Sequence, residues 1–164
     1  MAFINKSISV EFTEVDSVSE LSSNNQELIE KAKEASSLAY APYSRFFVGA
    51  AARLENGEIH IGSNKENASF PAGICAERNV INYISDLRPN TKINTIAVYA
   101  DPKDFRLDEP VSPCGICRQV LAETEQVQQQ EIEIVLTGNS GKTLIFKSVA
   151  CILPFHFCLS ELRK

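Results

Sequence analysis

The sequence has no surplus of positive charge. It contains 16 Lys and Arg against 21 Asp and Glu, which gives a formal net charge of -5 and an isoelectric point near 5.1. Proteins that bind a nucleic-acid backbone usually have a positively charged surface that contacts the phosphates. We therefore expect no nucleic-acid partner, and the composition favours a small or neutral one.

Long apolar runs are also lacking. No stretch approaches the roughly 20 apolar residues that a membrane-spanning helix needs, and no basic segment followed by an apolar run stands near the N-terminus. We expect no membrane association and a cytoplasmic location. There is no internal repeat, low-complexity tract or linker, and 164 residues with 44% hydrophobic content suit one sizeable core.

The apolar residues that are present predict six strands. Apolar and polar residues alternate within residues 6–15, which is typical of a half-buried strand. Two apolar runs flank the pair Asn56 and Gly57, a combination typical of a β-hairpin turn. The remaining strands are predicted at residues 93–100, 131–138 and 142–148.

Three helices are predicted between these strands. The first has Ser23 or Asn24 as its cap and is stopped by Pro42. The second covers residues 76–87, and the third begins near Cys114. Because strand, helix and strand follow one another twice, we expect an α/β fold: a three-layer α/β/α sandwich with a mixed β-sheet.

Five cysteines, an odd number that includes one C-x-x-C, favour metal or redox chemistry over a disulfide framework. Cys75, Cys114 and Cys117 each fall at the predicted start of a helix. A helix N-terminus carries roughly half a positive charge, which favours the thiolate that binds zinc. If both helix starts point into one crevice, three thiolates form a zinc site whose fourth position is open, as in catalytic zinc centres. We expect one Zn²⁺ per chain.

Two charged residues follow Cys75 directly. Glu77 is close enough to reach a water on the metal without binding the metal, so we expect it to shuttle protons. Three thiolates exceed the charge of Zn²⁺ by one, and Arg78 could offset that excess by donating to the sulfurs. Each residue alone has an ordinary structural explanation. Together, C-A-E followed by P-C-x-x-C matches the zinc-deaminase signature with cysteine as its first ligand.

Four stretches, "APYSRFFVGAA", "GSNKENASF", "GICAERNV" and "SPCGICRQVLAE", resemble cytidine deaminase of the small three-cysteine zinc class, in that family's order. The likeness covers about residues 27–157. It implies a homotetramer and hydrolytic deamination of cytidine and deoxycytidine to uridine and deoxyuridine, with release of ammonia, in pyrimidine salvage. On this basis residues 25–164 form the catalytic domain, and residues 1–24 form an N-terminal extension that contains a strand.

The resemblance also assigns roles residue by residue. Cys75, Cys114 and Cys117 would hold zinc, and Glu77 would protonate N3 of the pyrimidine and then the departing amine. Further roles are implied for residues away from the metal: Phe46 packing on the pyrimidine, Asn64 and Glu66 binding the ribose hydroxyls, Phe157 or Phe155 reaching a neighbouring subunit's site, and Arg78 and Gln119 supporting the metal ligands. Lys65 stands where the family usually has an apolar residue, and strand alternation predicts that it points away from the sugar.

Three alternatives remain open at this stage. A deaminase of another substrate, such as a blasticidin-type or nucleic-acid-editing enzyme, could share the same core. A thiol oxidoreductase could use "CGIC" alone, although it leaves Cys75 and Glu77 unexplained. A structural-zinc interaction module could be closed by a fourth ligand from Cys151, Cys158 or His156.

Overall fold

Six strands form one mixed sheet in the computed structural model, which describes residues 3–158. In chain order they are β1 (Thr13–Val15), β2 (Phe46–Leu54), β3 (Ile59–Ser63), β4 (Ile93–Pro102), β5 (Glu133–Gly138) and β6 (Thr143–Phe146). The helices of the described residues are α1 (Ser23–Ser36), α2 (Ala76–Leu87) and α3 (Gly115–Gln128), with three short 3₁₀ turns besides. None of these helices is long and apolar enough to cross a membrane.

The strand order is β1-β6-β5-β4-β2-β3. The pairs β2–β3 and β5–β6 are antiparallel hairpins, as is the pairing of β1 with β6. β4 and β5 are parallel and are joined through α3, whereas β4 runs antiparallel to β2. The predicted mixed sheet is therefore confirmed.

Alternation along β2 separates two apolar layers. Ala51 faces α1 in one buried cluster, and Ala50 and Ala52 face the other cluster, which contains Val80 of α2 and Leu121 of α3. Helices thus cover both faces of the sheet, which confirms the three-layer α/β/α sandwich. The same arrangement puts α2 and α3 side by side on one face.

Glycine allows a close approach on each face. A Cβ on Gly49 would lie 1.9 Å from the carbonyl oxygen of Ala32 in α1. A Cβ on Gly62 would lie 2.7 Å from the backbone nitrogen of Val80 in α2. Both distances are far below van der Waals contact, so α2 can sit at its observed depth on β3 only because residue 62 has no side chain.

Several predicted boundaries are wrong, among them the end of the first helix, which lies at Ser36 and not next to Pro42. The strand predicted within residues 6–15 is confined to Thr13–Val15, which pair with Thr143–Ile145 of β6. Residues 6–12 remain exposed, so their alternating apolar side chains have no buried face that would hold them against the sheet. The cap of α1 is Ser22, whose Oγ accepts from Asn25 N at 3.3 Å, rather than either predicted residue. The helix predicted over residues 76–87 is confirmed at both ends. Residues 159–164, which the predicted catalytic domain includes, lie outside the described part of the chain.

Candidate metal centre and active site

The first turns of α2 and α3 bring three sulfur atoms together. Cys75 is the N-cap residue of α2, Cys114 is the N-cap residue of α3, and Cys117 lies in the first turn of α3. Neither cap residue makes a side-chain capping hydrogen bond, so neither sulfur is occupied in capping its own helix. The Sγ of Cys75 lies 3.9 Å from that of Cys114, which lies 3.5 Å from that of Cys117.

These distances fit a tetrahedral metal centre. With zinc–sulfur bonds of about 2.3 Å, tetrahedral geometry separates two sulfurs by about 3.8 Å. The observed 3.5 and 3.9 Å lie on either side of that value, whereas a disulfide would need about 2.05 Å. A thiophilic divalent metal therefore suits the donor set of Cys75, Cys114 and Cys117.

The cluster has no fourth protein ligand among residues 3–158. Only the three cysteines place donor atoms within 4.8 Å of one another. The side chains of His156 and Cys158 instead meet the Gln126 amide of α3, at 2.9 and 3.0 Å. A structural-zinc site closed by Cys151, Cys158 or His156 is therefore not supported, and three ligands leave a position for water.

The sulfurs have unequal proton affinities. A hydrogen bond with the Cys117 thiol lowers the pKa of Cys75 to about 6, and the charge of Arg78 acts in the same direction. The same contact with Cys75, together with burial, raises the pKa of Cys117. Cys75 thus ionises before Cys117. Because the oxidoreductase hypothesis uses Cys114 and Cys117 alone, this involvement of Cys75 counts against it.

Arg78 lies where the sequence predicts a charge compensator. Its Nη2 donates to the Gly73 carbonyl at 3.2 Å, and its guanidinium interacts with the Cys75 sulfur. Within residues 3–158 its buried Nε has no hydrogen-bond partner. A guanidinium in this position favours negative charge on the sulfur cluster.

Glu77 is the buried acid of the site. It lies in the first turn of α2 and is only 4% exposed. Burial raises its pKa, and the neighbouring charge of Cys75 adds to that effect. A raised pKa makes a carboxyl group a better proton acceptor, which suits a role in general acid–base catalysis.

An open cavity of about 770 Å³ leads to this cluster. Its lining includes most of the predicted site residues: Phe46, Asn64, Glu66, Cys75, Glu77 and Cys114. The volume is within the range typical of small-molecule sites. Residues as far apart in sequence as Phe46 and Cys114 thus share one cavity.

Asn64 and Glu66 have contacts that the sequence did not predict. Asn64 accepts from Val48 N at 2.8 Å through Oδ1 and donates from Nδ2 to the Phe46 carbonyl at 2.9 Å. Glu66 accepts from the backbone nitrogens of Tyr43 and Ser44, at 2.8 and 3.3 Å, and from the Ser44 hydroxyl. Both side chains therefore hold the segment that carries Phe46. Residue spacing along the sequence does not predict these hydrogen bonds, because their partners lie about 16 to 23 positions away.

Two other predicted site residues lie outside the cavity wall. The Gln119 amide pairs with the backbone of Phe157 through bonds of 2.9 and 3.1 Å, and the Phe157 side chain is 65% exposed. Neither residue lines the cavity of its own chain. Their roles in supporting the metal ligands and in reaching a neighbouring site stay predictions. The Lys65 amine donates to the Leu38 carbonyl beyond the end of α1.

Comparisons with known proteins agree with this geometry. A family model described as the cytidine and deoxycytidylate deaminase zinc-binding region matches residues 22–131. A cytidine deaminase from Halalkalibacterium halodurans is 44% identical over 140 residues, which cover 85% of this chain and 98% of that protein. A cytidine deaminase from Sporosarcina psychrophila is 44% identical over 138 residues, covering 84% and 93%.

Solved structures resemble the fold as well. The crystal structure of cytidine deaminase from Burkholderia pseudomallei aligns with a TM-score of 0.69 at 36% identity, covering 80% of this chain and 97% of that chain. The structure of cytidine deaminase from Mycobacterium tuberculosis aligns with a TM-score of 0.62 at 30% identity, covering 80% and 95%. Because the family model spans most of the chain and includes all three clustered cysteines and Glu77, this chain belongs to the cytidine and deoxycytidylate deaminase family of hydrolytic enzymes.

Proposed function

We propose that this enzyme deaminates cytidine and deoxycytidine hydrolytically to uridine and deoxyuridine and so serves pyrimidine salvage in the cytoplasm. One observation carries the proposal: a buried carboxyl group, Glu77, adjoins a cluster of three sulfurs at the base of a nucleoside-sized cavity. The names of the curated relatives support the choice of cytidine.

Cys75, Cys114 and Cys117 would hold one Zn²⁺ per chain. When bound by three thiolates with a fourth position open, zinc supplies a Lewis acid that makes water nucleophilic near neutral pH. Arg78 would balance the excess negative charge of the thiolates, because its guanidinium already interacts with Cys75.

Glu77 would move the protons. It takes a proton from the attacking water, gives one to N3 of the pyrimidine, and later transfers the second water proton to the 4-amino group. A carbon–oxygen bond forms at C4 and the carbon–nitrogen bond breaks. Water and cytidine thus become uridine and ammonia, with no oxidant or other co-reactant. Burial of Glu77 suits this task because it raises the pKa of the carboxyl group and so favours its protonated form.

Asn64 and Glu66 would bind the ribose without giving up their present contacts. The Asn64 amide oxygen and nitrogen each use one of two hydrogen-bonding positions. Glu66 uses two acceptor positions on Oε2 and one on Oε1, out of about four on a carboxylate. Each side chain keeps capacity for a sugar hydroxyl, while the half-buried Phe46 ring offers an apolar face to the base.

A neutral substrate suits the charge of the cavity. The Glu66 carboxylate and the three thiolates of the sulfur cluster, whose charge exceeds that of one Zn²⁺, would repel a phosphate. A free nucleoside is thus favoured over a nucleotide or a nucleic acid. We also propose a homotetramer, in which the exposed Phe157, or Phe155, contacts a neighbouring subunit; these side chains are 65% and 82% exposed in the single chain.

Two measurements on one preparation test the proposal. Zinc content and the absorbance change of cytidine on deamination should show close to one zinc per chain together with turnover. A zinc-loaded protein that leaves cytidine and deoxycytidine unchanged would overturn the substrate proposal. Light scattering at micromolar concentration should give the mass of four chains, and a monomeric mass would reject the tetramer.

A further inference from the structure

The hydroxyl group of Ser44 connects two parts of the cavity wall. It accepts a hydrogen bond from the backbone nitrogen of Phe46 at 3.1 Å. It also donates to Oε1 of Glu66. A serine hydroxyl has only one hydrogen to donate, so this donor is fully committed to the carboxylate. One side chain thus links the carboxylate proposed to bind ribose to the backbone of the aromatic residue proposed to bind the base.

The turn between these residues has an unfavourable backbone. Arg45 has a φ of +52°, in the left-handed region that few residues other than glycine adopt. Such a conformation persists only where surrounding contacts hold it. Here Arg45 N donates to the Ala41 carbonyl at 3.1 Å, and Nε of Arg45 donates to Asp104 at 2.8 Å. Glu66 holds Ser44, the residue before Arg45, by accepting hydrogen bonds from its backbone nitrogen and its hydroxyl.

Glu66 and Asn64 fix Phe46 from opposite sides. On one side, the Ser44 hydroxyl connects the Phe46 nitrogen to Glu66. On the other, the Asn64 amide binds the Phe46 carbonyl and the Val48 nitrogen. The hydrogen bond from Ser44 is also the largest influence lowering the pKa of Glu66, which keeps that carboxylate ionised. The position of the Phe46 backbone and the position of the Glu66 carboxylate therefore depend on the same set of hydrogen bonds.

From this geometry we infer that Ser44 is a positioning residue for nucleoside binding: its hydroxyl couples the ribose contact of Glu66 to the base contact of Phe46. The inference rests on the proposed function. Within residues 3–158 Ser44 makes no hydrogen bond to the clustered cysteines or to Glu77, so its removal should weaken substrate binding while the chemical step is retained.

Replacement of the serine tests this coupling directly. In Ser44→Ala the KM for cytidine should rise roughly five- to tenfold, the value expected for one lost hydrogen bond, with kcat within about twofold of wild type. Ser44→Thr keeps the hydroxyl and should restore the lower KM. The matched control is Ser37→Ala, which removes an exposed hydroxyl that donates to the Glu34 carbonyl of α1; its KM should equal that of wild type.

A double-mutant cycle separates coupling from simple support of the turn. If Ser44 acts through Glu66, then Ser44→Ala should add less than about twofold in KM to Glu66→Gln, because interacting residues are not additive. Fully additive effects, or a Ser44→Ala variant with a lower Tm and an unchanged KM, would overturn the inference. If the wild-type enzyme does not turn over cytidine, both the proposed function and this inference are rejected. An active wild type with an unaffected Ser44→Ala rejects the inference alone.

Discussion

The Sγ atoms of Cys75 and Cys114 lie 3.9 Å apart although the two residues are 39 positions apart in sequence. Each sulfur belongs to the N-cap residue of its helix. The two helices share one apolar cluster on the same face of the sheet, through Val80 and Leu121. Helix packing therefore forms the metal centre, and its chemistry should respond to changes in either sulfur or in that packing.

Removal of one sulfur should abolish metal binding. We expect Cys114→Ala to bring zinc content close to zero, because two thiolates provide too few ligands for a stable tetrahedral centre. Metal analysis of protein purified without chelator measures it. Cys151→Ala is the control, since Cys151 packs beside the core outside the cluster and should leave about one zinc per chain. Full zinc content in Cys114→Ala would exclude this residue as a ligand.

Glu77→Gln should retain zinc and lose turnover. Glutamine keeps the size and a hydrogen-bonding group but cannot relay a proton. We expect kcat to fall by about a hundredfold to ten-thousandfold or more, with KM little changed or lower. Zinc analysis and cytidine kinetics on the same sample measure both effects. Glu123→Gln, an exposed site on α3, should keep wild-type kcat. A zinc-loaded Glu77→Gln with near wild-type kcat would remove Glu77 from the mechanism, and a zinc-free one would make it a ligand.

A methyl group at position 62 should destabilise the protein and weaken metal binding, although residue 62 is not a metal ligand. In Gly62→Ala the new Cβ would lie 2.7 Å from Val80 N, a backbone atom that cannot move alone. Overpacking of this kind costs about 1–3 kcal/mol, and displacement of α2 should lower zinc occupancy. Denaturant unfolding and metal analysis test this. Gly115→Ala is the control for stability, because its Cβ would meet no atom within 4 Å. Equal stabilities for the two variants would contradict the close packing of α2.

Glu125 should make stability depend on pH. Burial raises its pKa although its Oε1 accepts from Ile132 N and Val149 N, at 2.8 and 3.0 Å. With a raised folded-state pKa, its contribution to stability is full below the unfolded pKa of about 4.3 and is lost as pH rises through the folded value. Glu125→Gln keeps the acceptor oxygen and removes the ionisation. The Tm of Glu125→Gln relative to wild type should therefore increase between pH 4 and pH 7, by a few degrees at most.

Thermal unfolding of both proteins across that pH range checks the sign. Effects common to both, including metal release in acid, cancel in the difference. A difference in Tm that stays constant or decreases towards pH 7 would show that Glu125 is not destabilised by its ionised form.

Local sequence determined the elements whose ends depend on nearby residues. The hairpin at Asn56 and Gly57 forms as predicted, because Gly57 adopts the positive φ of +88° that the turn requires. The bounds of α2 agree with its apolar spacing, from Ala76 to Leu87. The cysteines were assigned to helix starts correctly for the same reason: caps and apolar period are properties of short segments.

Tertiary structure decided what depends on distant partners. The first strand begins only at Thr13 because the residues before it remain exposed and are not buried against the sheet. The sulfurs meet because β3-α2-β4 and β4-α3-β5 carry both helices to one face of the sheet. The contacts of Asn64 and Glu66 with the Phe46 segment arise in the same way. Sequence spacing specifies which face of its own element a side chain occupies, but burial and hydrogen bonding across the sheet select the backbone atoms it meets.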